Sequence, residues 1–105
     1  MATSKIKDLN EITTDSVNTS NNGTVAITRV GKLVQLNISA STIAGSWATW
    51  ATGVPPAKTT CEWMLPTDAG HYSVQVTSSG KIITLPRANG AAGQAARWTL
   101  VYIAK

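Results

Sequence analysis

The sequence predicts an all-β protein: an antiparallel β-sandwich or jelly-roll-like head preceded by a short helical or extended N-terminal segment. Three observations carry this. From Gly23 onward apolar residues recur at every second position and no stretch keeps a helical period. Turn signals at Gly31-Lys32, Gly53-Val-Pro-Pro56 and Ser78-Ser-Gly80 cut the chain into short runs. Finally, 43% of the 105 residues are apolar, enough for one core, while only 13% are charged against about 25% in ordinary domains. A chain this long fits one domain, so the head is assigned to residues 23–105 and an attachment segment with its linker to residues 1–22.

In chain order, Ile6, Leu9 and Ile12 lie three apart, on one side of a short helix or turn. An isolated helix this short is marginal in water, so the stripe calls for a partner surface. Thr13 to Gly23 is polar and rich in turn formers and reads as a linker. Val25 and Ile27 then begin a strand, and Val34, Leu36 and Ile38 form the inward face of its hairpin partner. Gly31-Lys32 between them is a two-residue loop with glycine at the position that needs positive φ. His71–Thr77 and Lys81–Leu85 repeat the plan around Ser78-Ser-Gly80. Further strands are expected at Thr59–Leu65 and Ala96–Ile103, whereas the paired prolines at 55 and 56 exclude a central strand there. The last strand is apolar on both faces, with Trp98, Leu100 and Tyr102 on one and Val101 and Ile103 on the other. That predicts burial on both sides, within a sandwich or at a subunit interface.

Composition narrows the function classes. Nine Lys and Arg against five Asp and Glu give a net charge of +4, but the cations are scattered and form no phosphate-tracking run, so nucleic acid is not an expected partner. Cys61 is the single cysteine and His71 the single histidine, so neither a disulfide nor a Cys/His metal cluster is expected, and no cofactor is implied. No stretch approaches the roughly 18 apolar residues of a membrane span, and Met1 to Lys5 opens no apolar signal core. Synthesis in a cytoplasm without a signal peptide is therefore expected, as is no insertion into membrane. After residue 22 the only carboxylates are Glu62 and Asp68, six apart across Pro66, a poor basis for paired-acid catalysis. His71 with Ser46 or Ser73 lacks a nucleophile elbow, so no catalytic residue is assigned and the chain is expected not to be an enzyme.

The order of features resembles the head domains of phage tail receptor-binding proteins, found in tail fibres and baseplates. Gly23-Thr-Val25 and Ile27 through Ile38 are similar to the G-x-V-x-hydrophobic-x-R/K-x-G-x-x-V-x-L hairpin of such heads. Thr52-Gly-Val-Pro-Pro56 stands where they carry L-P-x-G-x-x-P, without its leading Leu-Pro. Val74 through Ile83 resembles their V-x-V-x-x-x-G-x-I hairpin, and Trp98–Tyr102 their aromatic closing strand. Lys5 through Thr14 is similar to the K-I-S-x-L-x-x-x-T-T opening of tail proteins. The resemblance implies a homotrimer in the tail of a siphophage of a Gram-positive host. Its head would bind a surface saccharide during adsorption, and its N-terminal segment would dock on other tail proteins. A purely structural tail or baseplate component is the first alternative and a polysaccharide depolymerase the second.

Four tryptophans and no phenylalanine make the aromatic set informative. Trp98 alternates with Leu100 and Tyr102 and belongs to a core or interface. Trp47 and Trp50 sit in a small-residue stretch three apart, which on a regular strand turns them to opposite faces. An exposed indole stacks on the C–H face of a sugar while charged or amide groups orient its hydroxyls. The expected saccharide site therefore uses at least one of Trp47, Trp50 and Trp63 as a platform. Asp68, His71 and Arg87 are its polar partners, Arg87 being suited to an acidic or phosphate-bearing glycan.

Overall fold

A computed structural model describes residues 11–20, 23–40, 48–67, 70–87 and 95–105. Eight strands run β1 (Ile12–Asn18), β2 (Thr24–Val30), β3 (Leu33–Ala40), β4 (Ala48–Thr52), β5 (Cys61–Thr67), β6 (Gly70–Val76), β7 (Lys81–Arg87) and β8 (Ala96–Ile103). They form two four-stranded antiparallel sheets, ordered β1-β2-β3-β8 and β4-β7-β6-β5. The all-β sandwich expected from the period-two pattern is present, and no described residue is helical.

The hairpins form where the turn chemistry puts them. Val30 pairs with Leu33 across Gly31-Lys32, and Gly31 has φ of 59°. Val34, Leu36 and Ile38 face inward and stand opposite Tyr102, Leu100 and Trp98 in the register of β3 with β8. Val74, Val76, Tyr72 and Ile82 close the core from the other sheet. Each such fully buried aliphatic side chain contributes about 1.5–3 kcal/mol.

Three expectations are corrected. The stretch read as a linker contains β1, paired with β2 from Ile12↔Val30 to Asn18↔Thr24; the folded domain thus begins within residues 1–22. It was illegible because β1 buries almost nothing: only Val17 among its residues is even half-buried. A strand also forms at Ala48–Thr52, where a bulge between Thr49 and Ala51 lets consecutive Trp50 and Ala51 both point inward and breaks the alternation. Finally, β8 is an edge strand whose inner face alone is buried within the chain, Val101 and Ile103 being about half exposed on the outer side. That removes the sandwich interior, though not a subunit interface, as the setting of its second apolar face.

Between β4 and β5 the chain bridges the sheets at one end. Gly53 N donates to Gly80 O and Ala57 N to Thr77 O in the β6–β7 turn. Lys58 N donates to Ile103 O, and Lys105 N to Pro56 O, at the end of β8. With both sheets aligned this way and strand direction alternating along the chain, connections β2–β3, β4–β5 and β6–β7 share this end with Ile12 and Lys105. Connections β3–β4, β5–β6 and β7–β8 leave from the opposite, distal end, whereas the β1–β2 connection packs beside β4, where Thr19 bridges Ala51 and Ser20 N donates to Trp50 O.

Two substitutions test this packing. A Cβ at Gly80, where φ is 81°, would lie 2.6 Å from Val54 O, so Gly80→Ala should destabilise the fold by about 2 kcal/mol or more, read as a lowered thermal midpoint. Thr84 is fully buried and its Oγ1 has no partner among the described residues. Thr84→Val should therefore stabilise, by about 1 kcal/mol in chemical denaturation.

Candidate functional site

The distal end gathers most of the expected ligand residues. His71 is half-buried on the outer face of β6, and its ladder neighbours are Pro66 in β5 and position 87 in β7. Arg87 is thus directly across from His71 in the backbone ladder. Asp68 belongs to the β5–β6 connection and Trp47 to the β3–β4 connection. Both lie outside the described residues, but the strand ends Thr67, Gly70 and Ala40 place the departure points of these connections at the distal end. Arg97, exposed at the start of β8, joins Pro66, Thr67 and Ala95 around an open cavity of about 320 Å³. Trp98 Nε1 donates to Pro66 O at 2.9 Å and locks the end of β5 against β8 beneath it.

The tryptophans are distributed differently from the expected platform. Trp50 is 1% exposed and meets Trp98 edge to face at 6.0 Å between ring centroids. It belongs to the core and is withdrawn as a stacking residue; the bulge in β4 turns it inward. Trp63 is half-buried on the inner face of β5 and packs against the core, leaving only part of its indole accessible. Of the three proposed platforms, Trp47 alone is not placed by the described residues.

A second polar cavity was not foreseen. It measures about 380 Å³ and lies between β1 and the Gly53-Val-Pro-Pro56 bend, with Thr13, Thr14, Asp15 and Arg29 on its walls. Thr13 pairs with Arg29 and Asp15 with Ile27, so polar side chains occupy core-facing positions of β1 where the other sheet does not cover it. Arg29 Nε donates to Gly31 O at 2.7 Å, and Asp15 Oδ1 accepts from Ser16 N at 2.8 Å. The cleft offers hydroxyl, carboxylate and guanidinium groups to a polar ligand. It exists because β1 pairs with β2, whereas the polar run Thr13-Thr-Asp-Ser by itself signals a linker.

Elsewhere the chemistry is sparse. Cys61 is half-buried, and its Sγ donates to Thr59 O at 3.2 Å. Among the described residues no three His, Cys, Asp or Glu side chains group as metal ligands do, and no helix is long and apolar enough to cross a membrane. No protein-family model matches the chain, and no curated protein matches it in sequence.

Beside the second cleft, Tyr102 OH donates to Pro55 O at 2.7 Å. Burial pushes this hydroxyl up to about 12, against a smaller downward pull from the Arg29 charge. In the unfolded chain it titrates near 10. Between about 10 and 12 the folded protein keeps a proton that the unfolded chain has lost. Stability is therefore complete below about pH 10 and falls as pH rises through that window. Urea melts across this range should show the decline. Tyr102→Phe should flatten it, leaving a remainder from Tyr72, which burial also raises. At neutral pH the variant should lose about 1 kcal/mol with the hydrogen bond.

Proposed function

We propose that this chain is a non-enzymatic binding head of a phage tail or tail-like particle, recognising a host surface saccharide at its distal end. The observation that carries this is the polarity of the sandwich. The chain enters β1 at one end, while the β3–β4, β5–β6 and β7–β8 connections leave from the other. Attachment through the segment before Ile12 therefore leaves the distal connections facing away from the particle. The resemblance of the Gly23–Ile38 and Val74–Ile83 hairpins to tail head domains supplies the phage context. It also supplies the homotrimer and the docking of the N-terminal segment on other tail proteins.

With Trp50 and Trp98 in the core and Trp63 largely packed, Trp47 is the principal stacking residue of this proposal. Asp68, His71, Arg87 and the newly placed Arg97 supply its polar groups. Two arginines favour an anionic glycan, because a guanidinium fork matches carboxylate and phosphate geometry. The net charge of +4 favours approach to such a surface at low salt.

One observation favours a second reading, a structural tail component: every tryptophan whose side chain is described points inward. Binding of the purified protein to host cells and to a glycan array separates the two. The head proposal expects binding, with Trp47→Ala weakening it at least tenfold at an unchanged thermal midpoint. Arg87→Ala should weaken binding and reduce its salt dependence. Absence of any cell or glycan binding by the intact protein would leave the structural role.

A further inference from the structure

The outer face of the β1-β2-β3-β8 sheet is chemically unlike a solvated protein surface. Its positions are Ile12, Thr14, Ser16 and Asn18 of β1 and Thr24, Ala26, Thr28 and Val30 of β2, fixed by the inward orientation of Val25 and Ile27. Leu33, Gln35, Asn37 and Ser39 of β3 and Arg97, Thr99, Val101 and Ile103 of β8 complete it. Of all these positions only Arg97, at the distal corner, is charged, whereas ordinary surfaces carry roughly 25–35% charged residues. The ladder also places Ile12, Val30, Leu33 and Ile103 in one row across all four strands, with Val101 beside it. Ile12 is 65% exposed, Val101 53%, Leu33 50% and Ile103 49%. Of the large apolar side chains exposed among the described residues, Met64 alone lies elsewhere, on the other sheet.

We infer that copies of this chain associate through this face, with the Ile12–Val30–Leu33–Ile103 row at the centre of the contact. The inference rests on the self-association proposed above and names the surface responsible. Charge depletion with an apolar centre and a polar surround is the composition of a protein interface. The chemistry also selects a second copy over other partners. A nucleic acid or an acidic protein needs cations within the contact, and among the strand positions of this face only Arg97, at the far corner from the row, carries one. Lys32, Lys58 and Lys105 flank the row at its end without holding a strand position on the face. Hydroxyl and carboxamide groups each donate and accept, so a face built of Thr, Ser, Asn and Gln complements a copy of itself. Thr99 Oγ1 already donates to Asn37 Oδ1 at 2.9 Å across β3 and β8, which shows such pairing within the face. Copies of a chain of net charge +4 repel one another, and a face with a single charged strand position limits the like charges that meet to Arg97 and the lysines flanking the row. The row lies at the attachment end, so copies joined there keep their distal ends free. Strands about 4.8 Å apart, with about 3.3 Å per residue, make a face of roughly 20 by 25 Å. That is smaller than the roughly 800 Å² each partner contributes to a standard interface, so association through this face alone rises with concentration.

The test is light scattering on the full chain over a concentration series, with circular dichroism as a fold control. The wild type is expected to form multiples of 11.0 kDa. Leu33→Lys and Val101→Lys should return the mass to the monomer at concentrations where the wild type associates, with unchanged dichroism because both side chains are already exposed. Met64→Lys, on the other sheet, should associate as the wild type does. If the wild type associates and both face variants still do, this surface is wrong while self-association stands. If Met64→Lys alone dissociates, the contact lies on the other sheet. A wild type that stays monomeric at the highest concentration overturns both the surface and the homotrimer, leaving saccharide recognition to the binding assays.

Discussion

Between Gly53 and Lys58 the chain crosses from one sheet to the other and hydrogen-bonds the main chain of both. Elsewhere the sheets meet through apolar side chains, which attract without direction and permit sliding, and through a second main-chain tie beside β1 and β4, where Ser20 N donates to Trp50 O. The bridge sets their relative height: Gly53 and Ala57 fix it to the β6–β7 turn, and Pro56 and Lys58 fix it to the end of β8. Its sequence suits the task. Pro55 and Pro56 have no N–H to leave unpaired, and their carbonyls accept from Tyr102 OH and Lys105 N. Gly53 and Gly80 both take positive φ, and the bare Gly80 backbone allows Val54 O to approach. The distal grouping of the β3–β4, β5–β6 and β7–β8 connections depends on this alignment.

The strands legible in the sequence are those whose two faces meet different solvents. Val34, Leu36 and Ile38 alternate with Gln35, Asn37 and Ser39 because one set is in the core and the other in water, and periodicity reports that contrast. β1 has no such contrast, since both of its faces are largely open. Its hydrogen-bonded partner β2 holds it, and pairing leaves no trace in a hydropathy pattern. β4 failed for a different reason. Its bulge inserts a residue where the period is read, so the spacing of three between Trp47 and Trp50 does not show which face Trp50 takes, and it is buried. In β8 the apolar character of Val101 and Ile103 was read correctly, but an apolar residue at an uncovered face and one in a core look the same in sequence.

The site was less legible than the fold, because ligand surfaces arise where separate strands meet. The β6–β7 register brings His71 opposite position 87, and the β3–β8 register brings Arg97 to the same end. Neither proximity follows from spacing along the chain. The Thr13–Asp15–Arg29 cleft is a sharper case, since it exists only because one sheet overhangs the other beside the Gly53-Val-Pro-Pro56 bend. Residue chemistry suggested which side chains suit a polar ligand, and tertiary alignment decided which of them are neighbours.

The position of β1 also governs how the domain responds to force. β1 enters at the attachment end and is hydrogen-bonded to β2 along its whole length, from Ile12↔Val30 to Asn18↔Thr24. Tension between the distal end and Ile12 runs parallel to that ladder, so its hydrogen bonds are sheared together and share the strain. Tension between Ile12 and Lys105, which lie at the same end on opposite edges of one sheet, would instead open the edge ladders one pair at a time. The same fold is therefore mechanically stiff when pulled along its length and soft when Ile12 and Lys105 are drawn apart.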